Sequence, residues 1–409
     1  MVMDMAIIMA TDMEKNTDIM ENTMAQVEQG KKVESIEEHK NSKKKLVLLI
    51  EAMGGGVFTY MVDLANELTV YYDVTVVYGI RKQTPKDYKR YFLPEVQLIK
   101  IEHFTRAIKP MKDYKAYQEV KKVIKTIQPD LLHTHSSKAG VIGRVLGMGM
   151  DVPLFYTPHG YSFLMKEGKK VSKMLYFMIE WALGKINCTT IACSEGEYRT
   201  SQKVTKRSCF VNNSVNTKKL KGYVSAIVAE KKDIEMTMDD VVIYTMGRIC
   251  TQKNPTLFNQ IAEAMPHMKF MWIGDGELRE ELTSPNITIT GWGNRKEALQ
   301  YGAKCSIFIL PSLWEGLPIS LLESMSMKKI CLVSDVVGNR DVIQHGVNGF
   351  VCSTLEEYLS ALHFILQKKH RTQVEDMIQE AYQNIQDSYD TKLMGKEYDR
   401  VYRKYAKEK

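Results

Sequence analysis

The stretch LVLLIEAMGGGVFTYMVDLANEL, residues 46–68, contains the three features that decide the fold of this chain. Its first seven residues form a short, mostly apolar run, which is typical of a buried strand. Gly54, Gly55 and Gly56 end that run, and the apolar spacing of residues 58–68 predicts a helix. A strand, a glycine turn and a helix in this order predict a parallel sheet covered by helices.

The same alternation runs along the rest of the chain. In the first half, strands are predicted at residues 46–52, 74–80, 96–101, 131–135, 153–160 and 189–194, and VNNSV (211–215) closes this half. The lysine-rich residues 216–240 are typical of a linker. Strands resume at residues 241–248, 269–276, 287–292, 305–312, 329–335 and 349–352, with helical stretches at 254–264 and 317–327 and amphipathic stretches from 355 to 405. The pattern predicts an α/β chain with two Rossmann-like, doubly wound domains, whose ligands bind at the carboxyl ends of the strands.

Length and composition agree with a two-domain globular chain. The chain has 409 residues, of which 44% are hydrophobic. No run of 18 apolar residues is present, so a membrane-spanning helix is not expected. Seven scattered cysteines without a CxxC motif indicate reduced thiols of a cytoplasmic protein, and the histidines lack zinc-site spacing. Residues 1–45, rich in acids and methionine, are predicted to be a disordered leader.

The positive charge is concentrated in one half. The net charge is +7, and residues 46–220 hold 26 Lys and Arg against 15 Asp and Glu. Such an excess favours an anionic partner, although lysines kept for solubility explain it equally well. Within this half, KEGKKVSKMLYFMIEWALGK (166–185) fits either an anionic membrane surface or a sheet-covering helix with a basic start. The width of its apolar stripe favours the sheet-covering helix.

Two loops could hold an anion. The glycines at 54–56 allow backbone N–H groups to approach a phosphate at a helix start, although they could equally serve only a tight turn. In MGRICTQKN (246–254), Arg248 follows a strand and Lys253 lies where a helix begins, which suits a diphosphate. Alone, this pair of cations is a weak signal, since surface Arg and Lys are common.

The segment EGLPISLLE (315–323) places two acids on either side of a helix start. Pro318 suits the first turn of a helix, and Gly316 allows close approach of a ligand. At the helical rise per residue, the backbones of Glu315 and Glu323 are separated by roughly 10–12 Å. The carboxyl groups of glycosidase pairs stand about 5–9.5 Å apart, so this spacing favours two contacts to different parts of a longer ligand.

Three histidines lie near predicted strand ends. TPHGY (157–161) presents His159 on a turn, where it could bind a ligand hydroxyl or play a structural part. His133 and His135 share one face of a strand, and a structural role is favoured for both.

Together these motifs resemble the retaining glycosyltransferases of family 4, which have the GT-B architecture of two Rossmann-like domains facing across a cleft. The most specific element is Glu-x7-Glu at 315–323 with GR-x4-K at 247–253 upstream. GDGEL (274–278) and GVNGFVC (346–352) match further family stretches. HTHSSKAGVIGR (133–144) and YTPHGYSFL (156–164) are similar to the branch that assembles bacterial surface polysaccharides. The loop GGG and the leader depart from the family pattern.

The resemblance implies roles for individual residues. Arg248 and Lys253 would hold the donor diphosphate and stabilise the leaving nucleotide, and with the helix start at Gly316 they would replace a metal ion. Glu315 would contact the transferred sugar and Glu323 the ribose, while His159 would lie beside the reacting carbon. The remaining residues expected to bind the donor are Gly55, Gly56, Trp292, Leu317 and Pro318.

The resemblance also implies an organisation and a reaction. Residues 46–216 would form the acceptor domain and 217–390 the nucleotide-sugar domain, while residues 391–409 would form a helix that packs back on the acceptor domain. A hexose or N-acetylhexosamine would pass from a nucleotide-sugar, UDP more often than GDP in this family, to a lipid-linked saccharide of capsule, exopolysaccharide or O-antigen. The enzyme would need no metal ion or other cofactor, and it would lie in the cytoplasm or peripherally on the inner face of the membrane.

Other functions fit the sequence less well. A nucleotide-sugar epimerase has the same fold, and a phosphorylase-like enzyme would need a longer chain and a Schiff-base lysine. A non-catalytic subunit that binds nucleotide-sugar is opposed by the intact Arg248, Lys253, Glu315 and Glu323. A nucleic-acid binder would explain the basic half but not the motifs.

Overall fold

A computed structural model describes residues 43–51, 53–81, 84–105, 108–164, 170–230 and 241–406. Residues 1–42 of the predicted leader lie outside the described residues, and Lys44 and Lys45 already belong to the first strand. Residues from Lys45 onward form a single unit.

The first half builds a seven-stranded sheet in which the paired strands run parallel, in the order β3-β2-β1-β4-β5-β6-β7. The strands are β1 (Lys44–Ile50), β2 (Tyr72–Tyr78), β3 (Gln97–Lys100), β4 (Leu131–His135), β5 (Leu154–Thr157), β6 (Thr189–Ala192) and β7 (Ser208–Phe210). The sheet ends at β7, so VNNSV (211–215) follows the last strand, and its Val215 forms an isolated bridge with Asp390.

Helices connect these strands and cover both faces of the sheet. They are α1 (Gly55–Leu68), α2 (Pro110–Ile127), α3 (Ser137–Gly147), α4 (Lys170–Leu183) and α5 (Glu195–Ser201). Two separate apolar cores pack against opposite faces of the sheet, as its alternating side chains require.

The predicted linker is wrong in its first part, because residues Thr217–Glu230 form helix α6. Its buried Leu220 belongs to the core of the second half, and α6 packs against α8 (Arg295–Lys304). Residues 231–240 lie outside the described residues.

The second half builds a six-stranded parallel sheet in the order β10-β9-β8-β11-β12-β13. Its strands are β8 (Val242–Met246), β9 (Lys269–Ile273), β10 (Ile287–Ile289), β11 (Ile307–Leu310), β12 (Ile330–Ser334) and β13 (Phe350–Cys352). The further helices are α7 (Pro255–Ala264), α9 (Ile319–Ser326), α10 (Leu355–Leu366), α11 (Arg371–Ser388) and α12 (Thr391–Ala406). The predicted α/β class and the two Rossmann-like, doubly wound domains are confirmed.

The last helix, α12, packs on α1 of the first half. The hydroxyls of Tyr60 and Tyr398 are hydrogen-bonded to each other, and Tyr402 donates to or accepts from His133 Nδ1 at 2.6 Å. These contacts bury Tyr398 and Tyr402 of α12 against the first half.

The strand order reverses at two places, and these positions locate the site. In the first sheet β1 and β4 are neighbours, and in the second β8 and β11 are neighbours. The crevice at such a reversal is where open α/β sheets bind ligands. The glycine loop follows β1, Arg248 follows β8 and Glu315 follows β11.

Helix α4 corrects the favoured interpretation of residues 166–185. The sheet-covering interpretation placed its apolar stripe in the core, but Met174, Leu175 and Met178 are 61%, 54% and 57% exposed. Glu180 is the buried residue of this helix. It pairs with the buried Arg144 at 2.9 Å and accepts from the Tyr156 hydroxyl at 3.0 Å. A buried ion pair, rather than the apolar stripe, therefore fixes the helix.

Among the described residues, no helix is both long and apolar enough to cross a membrane. All seven cysteines are free thiols, of which Cys209 and Cys250 are partly exposed and the rest are buried.

Candidate active site

Two helix starts face each other across the cleft. Gly55 has a φ of +59°, a conformation that favours glycine, and α1 begins there. A Cβ added to Gly56 would lie 3.9 Å from Cγ1 of Ile319, the first residue of α9. Pro318 has extended backbone and lies just before α9, one position earlier than expected. The unpaired first-turn N–H groups of both helices therefore open into the same space, which favours an anion.

Lys253 and Glu315 meet beside these helix starts. Lys253 Nζ lies 2.6 Å from Glu315 Oε1, and the two side chains are only 15% and 6% exposed. Gln252 Nε2 donates to the Trp314 carbonyl at 3.0 Å and approaches Glu315 Oε2 at 3.3 Å. The pair thus places one shielded cation and one shielded carboxylate directly before α9.

Arg248 lies on the neighbouring loop but has a different partner. Its Nε is 2.8 Å from Glu277 Oε2, and both side chains are partly exposed. The aliphatic end of Lys253 packs against Gly247, whose added Cβ would lie 3.4 Å from Lys253 Cε. The two predicted cations therefore belong to one loop cluster. Glu277 belongs to the GDGEL stretch, but no role had been predicted for it.

Glu323 is buried within α9 and is paired with a residue that the sequence did not indicate. Arg295 lies 2.7 Å from Glu323 Oε1, with exposures of 20% and 7%. Burial raises the pKa of Glu323, and Arg295 opposes this shift. Glu323 therefore does not lie on a solvated face of α9. Arg295 follows Asn294, which caps α8 through a capping box with Glu297, so local capping fixes its position.

A small pocket with both apolar and charged lining residues adjoins this ion pair at the boundary between the two halves. Asp63 of α1, Lys219 of α6 and Arg295 of α8 line it together with Thr59 and Tyr91. Burial raises the pKa of Asp63, while the nearby Arg295 and Lys219 lower it. The pocket therefore presents charges of both signs beside Glu323.

His159 lies on a turn whose backbone is held in place by the side chain of Glu197. Its φ is +55°, which costs a non-glycine residue about 1–3 kcal/mol, and Gly160 follows with a φ of +91°. Glu197 Oε1 accepts from the Gly160 N–H at 2.6 Å, and its Oε2 accepts from the Cys193 N–H at 2.8 Å. A Cβ added to Gly316 would lie 3.5 Å from the Gly160 nitrogen, so the histidine turn and the Glu315–Gly316 loop adjoin.

The imidazole of His159 is neutral near physiological pH. Burial lowers the pKa of His159 to about 3. Its Nε2 lies 3.2 Å from His135 Nδ1, and its ring meets the edge of Tyr60 at 4.6 Å between centroids. A neutral imidazole can form hydrogen bonds to a ligand hydroxyl, but it is a weak base and cannot act as a cation.

Polar contacts between the two halves fix the loop before α9. Ser194 Oγ donates to the Gly316 carbonyl at 3.2 Å, and Asn213 Nδ2 donates to the Leu317 carbonyl at 2.8 Å. The Gly196 N–H donates to Asp341 at 3.0 Å. Leu317 itself is buried, so its backbone is the polar part available here. No role had been predicted for Ser194, Asn213 or Asp341, although Ser194 is the last residue of the predicted strand 189–194 and Asn213 lies within VNNSV.

Trp292 does not share these contacts. Its side chain is 57% exposed in the loop after β10, and a Cβ added to the neighbouring Gly291 would lie 3.9 Å from Asp275 Oδ2. Its predicted role in donor binding stays a prediction. The described residues contain no group of three His, Cys, Asp or Glu side chains placed to hold a metal ion.

Because of its buried histidines, we expect the protein to lose stability as the pH falls. Burial lowers the pKa of His133 and His135 well below the ordinary value of about 6.5. Below that value the unfolded chain binds protons that the folded chain does not, so each histidine should remove about 1.4 kcal/mol of stability per pH unit as the pH falls. The test is urea denaturation between pH 6.5 and 5 of the wild type and of His135→Asn, which keeps a polar atom near Nδ1. As the pH falls, the free energy of unfolding should decrease less steeply in the variant, by about 1.4 kcal/mol per pH unit. The same slope in variant and wild type would contradict the prediction. Carboxylates with raised pKa values, such as Glu197, act in the opposite direction but equally in both proteins.

Two family models match the sequence over most of its length. Residues 54–219 match the model described as Glycosyltransferase Family 4, and residues 240–368 match Glycosyl transferases group 1. The first segment contains β2 to β7 of the first sheet, and the second contains all six strands of the second sheet.

Two curated proteins and one solved structure illustrate the likeness. UDP-Gal:alpha-D-GlcNAc-diphosphoundecaprenol alpha-1,3-galactosyltransferase of Escherichia coli is 29% identical, over 63% of this chain and 71% of the relative. N,N'-diacetylbacillosaminyl-diphospho-undecaprenol alpha-1,3-N-acetylgalactosaminyltransferase of Campylobacter jejuni is 24% identical, over 74% of this chain and 85% of the relative. Sucrose-phosphate synthase from Thermosynechococcus elongatus superposes with a TM-score of 0.74 at 16% identity, over 88% of this chain and 99% of that chain.

Proposed function

The chain belongs to glycosyltransferase family 4 and has the GT-B fold, and from this premise we propose that it is a retaining, metal-independent enzyme of surface-polysaccharide assembly. It transfers a hexose or N-acetylhexosamine from a nucleotide-sugar, UDP rather than GDP, to a lipid-linked saccharide. The observation that carries the proposal is the Lys253–Glu315 pair at the point where α1 and α9 begin opposite each other.

The donor lies along α9 in this proposal. Its diphosphate occupies the space before Ile319, where first-turn N–H groups, Lys253 and Arg248 offer positive charge. Glu315 accepts hydrogen bonds from hydroxyls of the transferred sugar. Glu323 accepts from the ribose hydroxyls, with Arg295 keeping its buried carboxylate charged. A donor in this position would contact both acids, whose backbones the helical rise separates by roughly 10–12 Å.

In the proposed reaction, negative charge develops on the leaving diphosphate inside the cleft, where the surrounding side chains are shielded from solvent. The bond from the anomeric carbon to the diphosphate oxygen breaks, a bond to an acceptor hydroxyl oxygen forms, and the hydroxyl proton is released. Lys253 and the α9 start stabilise the charge that develops on the leaving diphosphate, as preorganised groups do in a low-dielectric cleft. They take the place of a divalent cation, so activity should persist in EDTA. Neutral His159 orients the sugar by hydrogen bonding.

The relatives support the acceptor and the stereochemistry. Both are named for an acceptor sugar on diphosphoundecaprenol and for an α-1,3 product. Common nucleotide hexoses such as UDP-galactose are α-anomers, so an α product corresponds to net retention. The acceptor class is a polyprenyl-diphosphate saccharide, and the enzyme works at the cytoplasmic face of an anionic membrane during synthesis of a capsule or a related polymer.

Glu323→Gln should chiefly weaken donor binding. The substitution keeps the volume but removes a charged acceptor from the ribose, and a hydrogen bond to a charged group is worth about 1.5–3 kcal/mol, so KM for the donor should rise about 10–100-fold. Steady-state kinetics measure this, with kcat much less affected. Glu280→Gln, which changes an exposed acid of the same domain, serves as the control. An unchanged KM in Glu323→Gln would remove the ribose assignment.

Thermal unfolding with nucleotide-sugars tests the donor class. A ligand that binds the folded state at 100 times its dissociation constant adds about 2.7 kcal/mol of stability. UDP and UDP-hexoses should raise the midpoint, and GDP-sugars should not. Stabilisation by GDP-mannose alone would overturn the UDP assignment, and no stabilisation by any nucleotide-sugar would overturn the proposed donor site.

A further inference from the structure

Helix α4 carries an apolar stripe that faces away from the protein. Its residues, here called the α4 stripe, are Val171, Met174, Leu175, Met178 and Trp181. They are 79%, 61%, 54%, 57% and 47% exposed. Their spacing of three and four residues places them along one side of the helix. Large apolar surfaces of this kind mark a binding site.

A second exposed apolar group lies at the start of α2. Ile108, Met111 and Tyr114, here called the α2 turn, are 71%, 71% and 61% exposed and are spaced by three residues. Lys109, Lys112 and Lys115 alternate with them and are also exposed. Apolar side chains and lysines therefore occupy the same short segment.

Both groups adjoin the first turn of α3. Lys138 of α3 pairs with Asp113, within the α2 turn, at 2.7 Å. Ser137 Oγ lies 2.9 Å from Ser162 Oγ, in a single-turn helix that packs on α4. The two apolar groups thus flank one point at the carboxyl edge of the first sheet, beside the loop that follows β4.

The α4 stripe cannot turn inward without a large cost. Glu180, on the same helix, is held by the buried Arg144 and by the Tyr156 hydroxyl, and the Arg144 guanidinium lies 4.0 Å from the Tyr156 ring. Rotating α4 would expose or unpair these charges. The opposite side of the helix therefore faces outward, with its apolar side chains exposed.

We propose that the α4 stripe and the α2 turn form one docking surface for an anionic lipid bilayer. Methionine, leucine and tryptophan side chains enter the boundary between headgroups and acyl chains, and the flanking lysines contact anionic headgroups. The exposed Lys170 and Lys185 extend the basic border on α4, and Lys185 covers the Trp181 ring at 3.5 Å. The basic first half provides the matching long-range attraction.

Only the biological purpose of the docking surface rests on the proposed function. Docking at these two groups puts the carboxyl edge of the first sheet against the membrane, so a polyprenyl-diphosphate acceptor reaches the cleft without leaving the bilayer. Docking itself is a property of the surface and needs no donor.

Flotation of the full chain with lipid vesicles tests the surface. The wild-type protein should float with phosphatidylcholine vesicles that contain phosphatidylglycerol and should bind at least about tenfold less to phosphatidylcholine alone, since several lysines contribute. Met174→Glu/Met178→Glu and Met111→Glu/Tyr114→Glu should each lower binding by at least about tenfold. Val70→Glu/Tyr301→Glu, which makes the same charge change at exposed apolar residues elsewhere, should bind as wild type.

Several other results would overturn the docking proposal or one part of it. Absence of flotation, equal binding to neutral vesicles, or equal loss in the control variant would overturn the proposal, and an effect of the α4 variant alone would overturn the two-part surface. A wild-type dimer that both variants convert to monomer would assign the surface to self-association instead. Stabilisation by UDP, measured on every variant, should stay unchanged; docking that fails while UDP still stabilises leaves the proposed function intact.

Discussion

Replacing Lys253 with alanine should lower kcat/KM for sugar transfer by about 10³-fold, the loss typical of removing one preorganised charge from a developing leaving group. Lys253 is the shielded cation of the cleft, 2.6 Å from Glu315 and next to the α9 start. A neutral side chain leaves the departing diphosphate without its nearest positive charge. Initial rates of nucleotide release and of product formation measure the effect.

Controls separate this loss from structural damage. Lys253→Ala leaves the buried Glu315 unpaired, so Lys253→Met/Glu315→Gln, which removes both charges, should fold better than Lys253→Ala and remain inactive. Lys253→Arg keeps a cation and should retain part of the activity. Lys304→Ala changes an exposed lysine of the same domain and should leave the rate unchanged. Wild-type turnover in Lys253→Ala would refute the diphosphate assignment.

Replacing Glu180 with alanine should destabilise the first domain by about 3–5 kcal/mol, because the buried Arg144 would lose its counter-charge. The measurement is urea denaturation followed by a probe in the first domain, since a two-domain chain can unfold in more than one step. Glu195→Ala breaks an exposed pair with Arg199 and should cost about 0–1 kcal/mol.

A double substitution distinguishes the ion pair from simple packing. In Glu180→Leu/Arg144→Met both charges are absent, and most of the lost stability should return. A loss below about 1 kcal/mol in Glu180→Ala would mean that the α4 helix is held by its partly buried apolar residues rather than by this pair.

Much of the fold could be predicted because parallel strands buried on both faces appear as continuous apolar runs. LLHTH was predicted with its observed boundaries, and the repeated strand-helix rhythm predicted the doubly wound class, whereas the order of the strands came from the structure. The last strand, Ser208–Phe210, was missed because it is short and not apolar along its length. Helix α6 was missed because Lys218, Lys219 and Lys221 surround its buried Leu220 and make the segment read as polar.

The site was partly predictable for a similar reason. Arg248, Lys253 and Glu315 follow neighbouring strands, so their proximity follows from topology. Arg295 and Glu197 could not be found this way, because each acts through a partner distant in the chain whose position only the folded structure fixes. The outward orientation of the α4 stripe could not be predicted for the same reason. It is decided by the buried pair of Arg144 and Glu180, which lie far apart in the chain.

The most direct test of the central claim is transfer of labelled sugar from a panel of UDP-hexoses and UDP-N-acetylhexosamines to an undecaprenyl-diphosphate-linked saccharide in the presence of EDTA. The proposed function predicts a labelled lipid product with an α linkage from one of these donors, and no product with Lys253→Ala. A donor that is epimerised without transfer, a product with a β linkage, or activity that EDTA abolishes would contradict it.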